Sequence, residues 1–212
     1  MITLFYAPGT ASFAVHWMLI ELGVDFHAEA VDLSAGQQRT PAFLALNPAG
    51  RVPTMAIDGE GYGESAALLM LLAERHADAG FAPAPGDPAR ARWLEAMAFL
   101  TNTLSSAMRD WFYADRDGDP AGAEAVRALA RRRIEGVWTR LDDQLADGRP
   151  YLLGDTVTTA DFLATMLMRW SRAMDRPATT WPRLAPYVHR MRARPAFAEV
   201  CRREGLGEWL NA

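Results

Sequence analysis

The stretch Ile2-Thr3-Leu4-Phe5-Tyr6-Ala7-Pro8-Gly9-Thr10-Ala11-Ser12 decides how the rest of the chain is read. Ile2–Tyr6 is apolar and β-prone, which predicts a buried strand. Ala7-Pro8-Gly9-Thr10 is turn chemistry. From Ser12 to Leu22 the apolar residues take helical spacing, and Gly23 follows as a C-cap. A strand thus passes through a tight turn straight into a helix. Such a turn leaves backbone N–H groups at a helix mouth, with two hydroxyls, Thr10 and Ser12, beside them.

Outward from this unit, Phe26–Leu33 is strand-like and Pro41–Leu46 is a short helix stopped by Asn47-Pro48-Ala49-Gly50. Thr54–Ile57 and the turn Asp58-Gly59-Glu60-Gly61 predict a hairpin. Ser65–His76 is an amphipathic helix. Strand–helix–strand, hairpin, helix is the order of a thioredoxin-like α/β unit, assigned to residues 1–78. Gly80–Pro88 has linker composition, and residues 79–88 are taken as the linker. Residues 89–212 are read as all-α. Trp93, Met97, Leu100, Leu104, Met108 and Trp111 mark one long helix, broken at Asp117–Gly122, and a second runs over Ala123–Leu145. Thr158 and Asp161 form a capping box, with Val157 and Phe162 as its hydrophobic staple. Pro182–Arg192 and Pro195–Glu204 are the last helices.

Composition narrows the function. Of 212 residues 50% are apolar and 23% charged, with a net charge of −4. That supports a packed core and disfavours a duplex-nucleic-acid binder, which needs a basic face. All 22 basic residues are Arg, so Schiff-base chemistry and a P-loop lysine are out of reach. One cysteine, Cys201, leaves no CxxC redox or zinc pair. The four histidines, His16, His27, His76 and His189, have no metal spacing, so no metal is expected. Gly59, Gly61 and Gly63 lack the strand–helix context of a dinucleotide loop and read as a turn. No targeting signal is recognised, and the longest apolar run, Ala66–Ala73, falls far short of the ~20 residues of a membrane span. The expectation is a soluble cytoplasmic protein.

Four motifs occur in order. Asn47-Pro48-Ala49-Gly50-Arg51-Val52-Pro53 resembles the NPxGxVP loop of cytosolic glutathione transferases. Gly63-Glu64-Ser65-Ala66-Ala67, followed by Leu71–His76, resembles their ESxAIxxYLAERH stretch. Leu153-Gly154-Asp155 through Asp161 resembles their capping segment, and Arg194-Pro195-Ala196 their late RPA motif. The resemblance implies a thioredoxin-like N-terminal domain, an all-α C-terminal domain, a homodimer, and glutathione as co-substrate. It also implies conjugation of the glutathione thiolate to a small apolar electrophile.

The chemistry of individual residues fits that implication. Ser65, at a helix start, can hold the γ-glutamyl carboxylate, and Glu64 can accept from the ammonium. The resemblance implies a cis bond at Val52-Pro53, which would turn the backbone of Val52 toward the tripeptide. Arg51 can reach a ligand carboxylate or simply lie exposed. Tyr6 through His16 resembles the bacterial beta-type pattern YxPGxCSxxPH, yet Ala11 stands at its functional cysteine, and Ser105-Ser106 replaces the expected His-Lys pair. Thiolate stabilisation then falls to Ser12, with Thr10 as the second choice; either can be only a helix cap. Ser105, Met108, Arg109, Phe112 and Tyr113 are expected to border an apolar second-substrate pocket, alongside Trp111. Two alternatives share this fold: a non-catalytic binding or interaction module, and a glutathione-dependent disulfide or peroxide reductase, which Ala11 disfavours.

Overall fold

The computed structural model describes residues 1–117 and 119–209. Gly118, inside the expected break Asp117–Gly122, and residues 210–212 lie outside the described residues. Strand β1 (Ile2–Tyr6) is central in a four-stranded sheet of order β2-β1-β3-β4. It pairs in parallel with β2 (His27–Ala30), Thr3 opposite His27. On its other side it pairs antiparallel with β3 (Thr54–Ile57), Leu4 opposite Met55. β4 (Glu60–Gly63) completes the hairpin, Thr54 opposite Gly63.

β2 is shorter than the expected Phe26–Leu33. Asp32 stops it: its carboxylate accepts the Ser34 and Ala35 N–H groups at 2.9 and 3.0 Å and starts a turn. Helix α1 (Phe13–Glu21) begins one residue later than Ser12 and is buried from Phe13 to Leu19. A helix apolar all round belongs in a core, and α1 packs against β1, against α3 (Ser65–Arg75) and against a helix from the far end of the chain. Helix α2 (Pro41–Leu46) has Thr40 as its cap, the Thr40 hydroxyl accepting from Phe43 N–H.

The contacts divide the chain into two units, Met1–Ala82 with the stretch from Arg192 onward, and Pro83–Met191. The break at Ala82–Pro83 lies inside the 79–88 linker. The C-terminal end differs from the expectation that 89–212 is one helical domain, because the last helix joins the first unit. Numbered in chain order this is α9 (Pro195–Glu204). Phe197 packs edge-on against Phe13 and Trp17, with ring centroids 5.7 and 5.0 Å apart. Arg194 donates to Glu21 at the end of α1, and Trp17 donates to the same carboxylate at 3.1 Å.

The second unit contains α4 (Arg90–Phe99), α5 (Ser106–Tyr113), α6 (Ala123–Gln144), α7 (Thr159–Trp170) and most of α8 (Leu184–Arg192). The expected single helix Trp93–Trp111 is continuous, but Leu100–Ser105 within it is wound as a π-helix. A side-chain periodicity count does not detect such a turn. α7 is the core helix, buried from Thr159 to Arg169. Its start is the expected capping box: Asp161 accepts Thr158 N–H at 2.8 Å, and Thr158 returns a bond to the Asp161 amide. The other oxygen of Asp161 accepts Leu152 N–H at 2.9 Å and the Tyr187 hydroxyl at 3.0 Å. Burial raises the Asp161 carboxyl above the usual carboxylate range against these donors, and pushes the Tyr187 hydroxyl well up. No helix among the described residues is long and apolar enough to cross a membrane.

Candidate active site

The turn from β1 into α1 carries Gly9 at φ 67°, in the left-handed region that glycine tolerates without penalty. Ser12 is completely buried. Its hydroxyl accepts Ala7 N–H at 3.2 Å and donates to Ala7 C=O at 3.1 Å, so one side chain latches both backbone groups of the residue five positions back. It makes no cap bond to α1. Ser12, the first-choice donor to a ligand sulfur, thus lies buried in the turn with its hydroxyl on Ala7. Thr10 is half-buried. Its hydroxyl, like that of Ser12, donates to Ala7 C=O, at 2.8 Å, and it lies 3.0 Å from the Ser12 hydroxyl. Thr10 also lines a cavity of about 480 Å³ with Ala7, Pro8, Val31, Asp32 and Leu33. The Ser34 hydroxyl, then the Ala35 and Ser34 amides, hold the Asp32 carboxyl below its ordinary range.

Ser65, the first residue of α3, donates from its hydroxyl to Ala11 C=O at 2.7 Å. That bond ties the mouth of α3 to the mouth of α1. Before it stands Glu64, exposed, with φ 66° and ψ 111°. A non-glycine residue there carries strain of order 1–3 kcal/mol, which persists only where surrounding structure enforces it. Neither α1 nor α3 receives a side-chain N-cap bond, so both helix starts keep donors and the positive end of the dipole for an anion.

The Val52-Pro53 peptide is cis, as the resemblance implies. Pro53 is buried and Val52 half-buried, while Arg51 is exposed. Carrying the β3–β4 register one residue past Thr54 and Gly63 sets Pro53 opposite Glu64. Val52, Pro53, Glu64 and Ser65 therefore meet at one end of the sheet, beside the α1 turn. Asn47 clamps this loop, donating to Arg51 C=O at 3.1 Å and to the Thr54 hydroxyl at 2.8 Å. Gly61 lies so close to α2 that a Cβ would sit 2.0 Å from Leu46 C=O, which gives the glycine-rich hairpin a steric reason.

Sequence reasoning missed one group. Glu204, at the end of α9, is buried and accepts Gly9 N–H at 2.7 Å and His16 Nδ1–H at 2.8 Å. His16 is itself fully buried against Tyr6 and Phe26. The bonds span 195 and 188 positions, so no local spacing signals them.

In the helical unit, Ser105 ends the π-helical segment and is half-buried. Met108, also expected at the pocket, is fully buried in that unit. Arg109, Phe112 and Tyr113 are exposed on α5, the two rings each at 39%.

The sequence and the fold match those of known proteins. The family described as "Glutathione S-transferase, N-terminal domain" matches residues 11–75, and "Glutathione S-transferase, C-terminal domain" matches residues 124–212. A glutathione S-transferase complexed with glutathione from a sphingomonad superposes with a TM-score of 0.84 at 32% identity, over 97% of this chain and all of that one. A glutathione transferase from Methylococcus capsulatus gives 0.83 at 31% identity, over 97% and 100% of the two chains. Glutathione S-transferase GST-4.5 of Xanthomonas campestris pv. campestris is 28% identical over 96% of this chain and 98% of its own. The chain belongs to the glutathione S-transferase family.

Proposed function

We propose that this chain binds glutathione and transfers its thiolate to a small electrophile in the cytoplasm, as a homodimer. The observation that carries the reading is Glu64, held exposed at positive φ where α3 begins and tied through Ser65 to the mouth of α1. A strained acidic residue beside an uncapped helix start suits a ligand with adjacent ammonium and carboxylate groups. Glu64 takes the ammonium, Ser65 and the α3 amides take the γ-glutamyl carboxylate, Val52 pairs with the peptide backbone, and Arg51 reaches a carboxylate.

Thr10 then acts on the sulfur. A free thiol has a pKa near 8.5, and each unit of lowering needs about 1.4 kcal/mol of preference for thiolate. A hydrogen bond to a charged acceptor supplies about 1.5–3 kcal/mol. If Thr10 turns its proton to the sulfur, Ser12 can turn its own to Thr10 across their 3.0 Å contact, so the buried hydroxyl backs the half-buried one. Cys201 is fully buried in α9, which disfavours a reductase working through a protein thiol.

The test is titration calorimetry with glutathione on wild type and Glu64→Ala, alongside conjugation of 1-chloro-2,4-dinitrobenzene. Glu64→Ala is expected to weaken binding by about 1.5–3 kcal/mol, the range for a charged hydrogen bond. Wild type that binds without turning over would favour the non-catalytic module; absence of binding would end the proposal.

A further inference from the structure

Thr54 opens β3 one residue beyond the loop Asn47–Pro53, and its side chain is completely buried. Its cross-strand partners are Phe5 on β1 and Gly63 on β4. Strand propensity and burial would be met as well by valine, which has the same branched shape. A buried hydroxyl is costly unless it is hydrogen-bonded. Thr54 makes two such bonds: it donates to Arg51 C=O at 2.8 Å and accepts from Asn47 Nδ2 at 2.8 Å.

Asn47 completes the arrangement from the end of α2, where its own N–H is bonded to Phe43 C=O at 2.9 Å. Its Nδ2 also donates to Arg51 C=O, at 3.1 Å, and its Oδ1 accepts Ala49 N–H at 3.1 Å. The Arg51 carbonyl therefore takes two donors, one for each lone pair. The Arg51–Val52 peptide is trans and planar, so a C=O held against Thr54 and Asn47 directs the Val52 N–H to the opposite side. On the other flank, a Cβ at Gly63 would stand 3.3 Å from Asn47 Nδ2, so the same amide packs on the residue that precedes Glu64. One hydroxyl and one amide thus join the two backbone stretches that carry Val52 and Glu64.

We propose that Thr54 and Asn47 are positioning residues for glutathione, fixing the direction of the Val52 N–H and its spacing from Glu64. The proposal rests on the transferase reading above and extends it to residues behind the ligand. Thr54, having no exposed surface, acts only through Val52. The latch lies away from the sulfur chemistry at Thr10, so its loss weakens ligand binding and spares the chemical step.

The experiment varies glutathione at fixed 1-chloro-2,4-dinitrobenzene, with calorimetric Kd and melting temperatures, on wild type, Thr54→Val, Thr54→Ser and Asn47→Ala. Thr54→Val is expected to raise KM and Kd for glutathione about fivefold, the scale of one neutral hydrogen bond, with kcat within twofold of wild type. Thr54→Ser restores the hydroxyl and should return both constants to within twofold. Asn47→Ala removes the latch from the other side and should raise KM and Kd at least as much; should Thr54→Val not fold, this variant decides alone. A lowered melting temperature with KM and Kd unmoved would make the latch purely structural and overturn the proposal. So would a fall in kcat at constant KM, or a loss that serine does not rescue. Kd carries the test if turnover is absent. Wild type that binds no glutathione sinks the transferase reading and this proposal with it; normal wild-type binding beside variants of unmoved Kd sinks this proposal alone.

Discussion

Two helix starts in this protein each carry a hydroxyl residue and serve opposite ends. At α7, Thr158 and Asp161 satisfy each other's backbone, and Asp161 also takes Leu152 N–H and the Tyr187 hydroxyl. That start is closed and buried. At α1, the buried hydroxyl of Ser12 turns back to Ala7, and no side chain caps the helix. α3 begins in the same uncapped way. A closed start stabilises the fold; an open one keeps its dipole and donors for a ligand. The open starts must be braced from elsewhere, and Glu204 does this from α9 by holding Gly9 and His16.

The largest expected effect breaks the closed start. Asp161→Ala leaves several buried donors without an acceptor, each costing about 1–3 kcal/mol, so stability should fall by at least about 3 kcal/mol in urea unfolding. Glutathione affinity should be unchanged in the fraction that remains folded. A smaller loss would mean that water or rearranged side chains replace the carboxylate.

Glu204→Ala strips the brace from the open start. It removes the carboxylate that Gly9 N–H and His16 Nδ1 share, for an expected loss of about 2–4 kcal/mol. Unlike the first change, it should also lower conjugation measured well below the melting temperature, because Gly9 adjoins Thr10. Lost stability with wild-type turnover would separate the brace from the chemistry.

On the same helix, exposed Glu199 gives the smallest effect. Hydrogen bonds from Arg202 and then Arg203 lower its pKa to about 2. Its contribution is present above its ordinary value near 4.5 and lost as pH falls through about 2. Glu199→Gln should flatten acid unfolding within that window and lower stability at neutral pH by the same small amount. An unaltered acid limb would show the arginines pairing elsewhere in solution.

The same contrast explains what the sequence made legible. The capping box is a four-residue pattern, and Thr158 and Asp161 are read directly. Strand β1, the β3–β4 hairpin and α3 are legible from periodicity and turn residues, and the motifs bring Val52, Glu64 and Ser65 into one reading. The features that escaped depend on distance or winding. Phe197 and Arg194 join α9 to α1 rather than to the helical unit. The π-helical segment keeps the apolar spacing of an ordinary helix while rotating α5 beyond it. Ser12 and Thr10 are indistinguishable as hydroxyls near a helix start; only burial separates them. Met108 reads as pocket-lining because an apolar residue on α5 suits a core and a pocket equally.

The central claim is that the half-buried hydroxyl of Thr10 acts on the glutathione sulfur while the buried hydroxyl of Ser12 holds the turn. Its most direct test is thiolate absorbance of bound glutathione against pH in wild type, Thr10→Ala and Ser12→Ala, with melting temperatures for all three. Thr10→Ala is expected to raise the bound thiol pKa by about 1–2 units, the equivalent of about 1.5–3 kcal/mol, with little change in melting temperature. Ser12→Ala should lower the melting temperature and move the thiol pKa by less than half as much. A thiol pKa unmoved by Thr10→Ala, with a full shift in a Ser12→Ala protein of wild-type stability, would contradict the account.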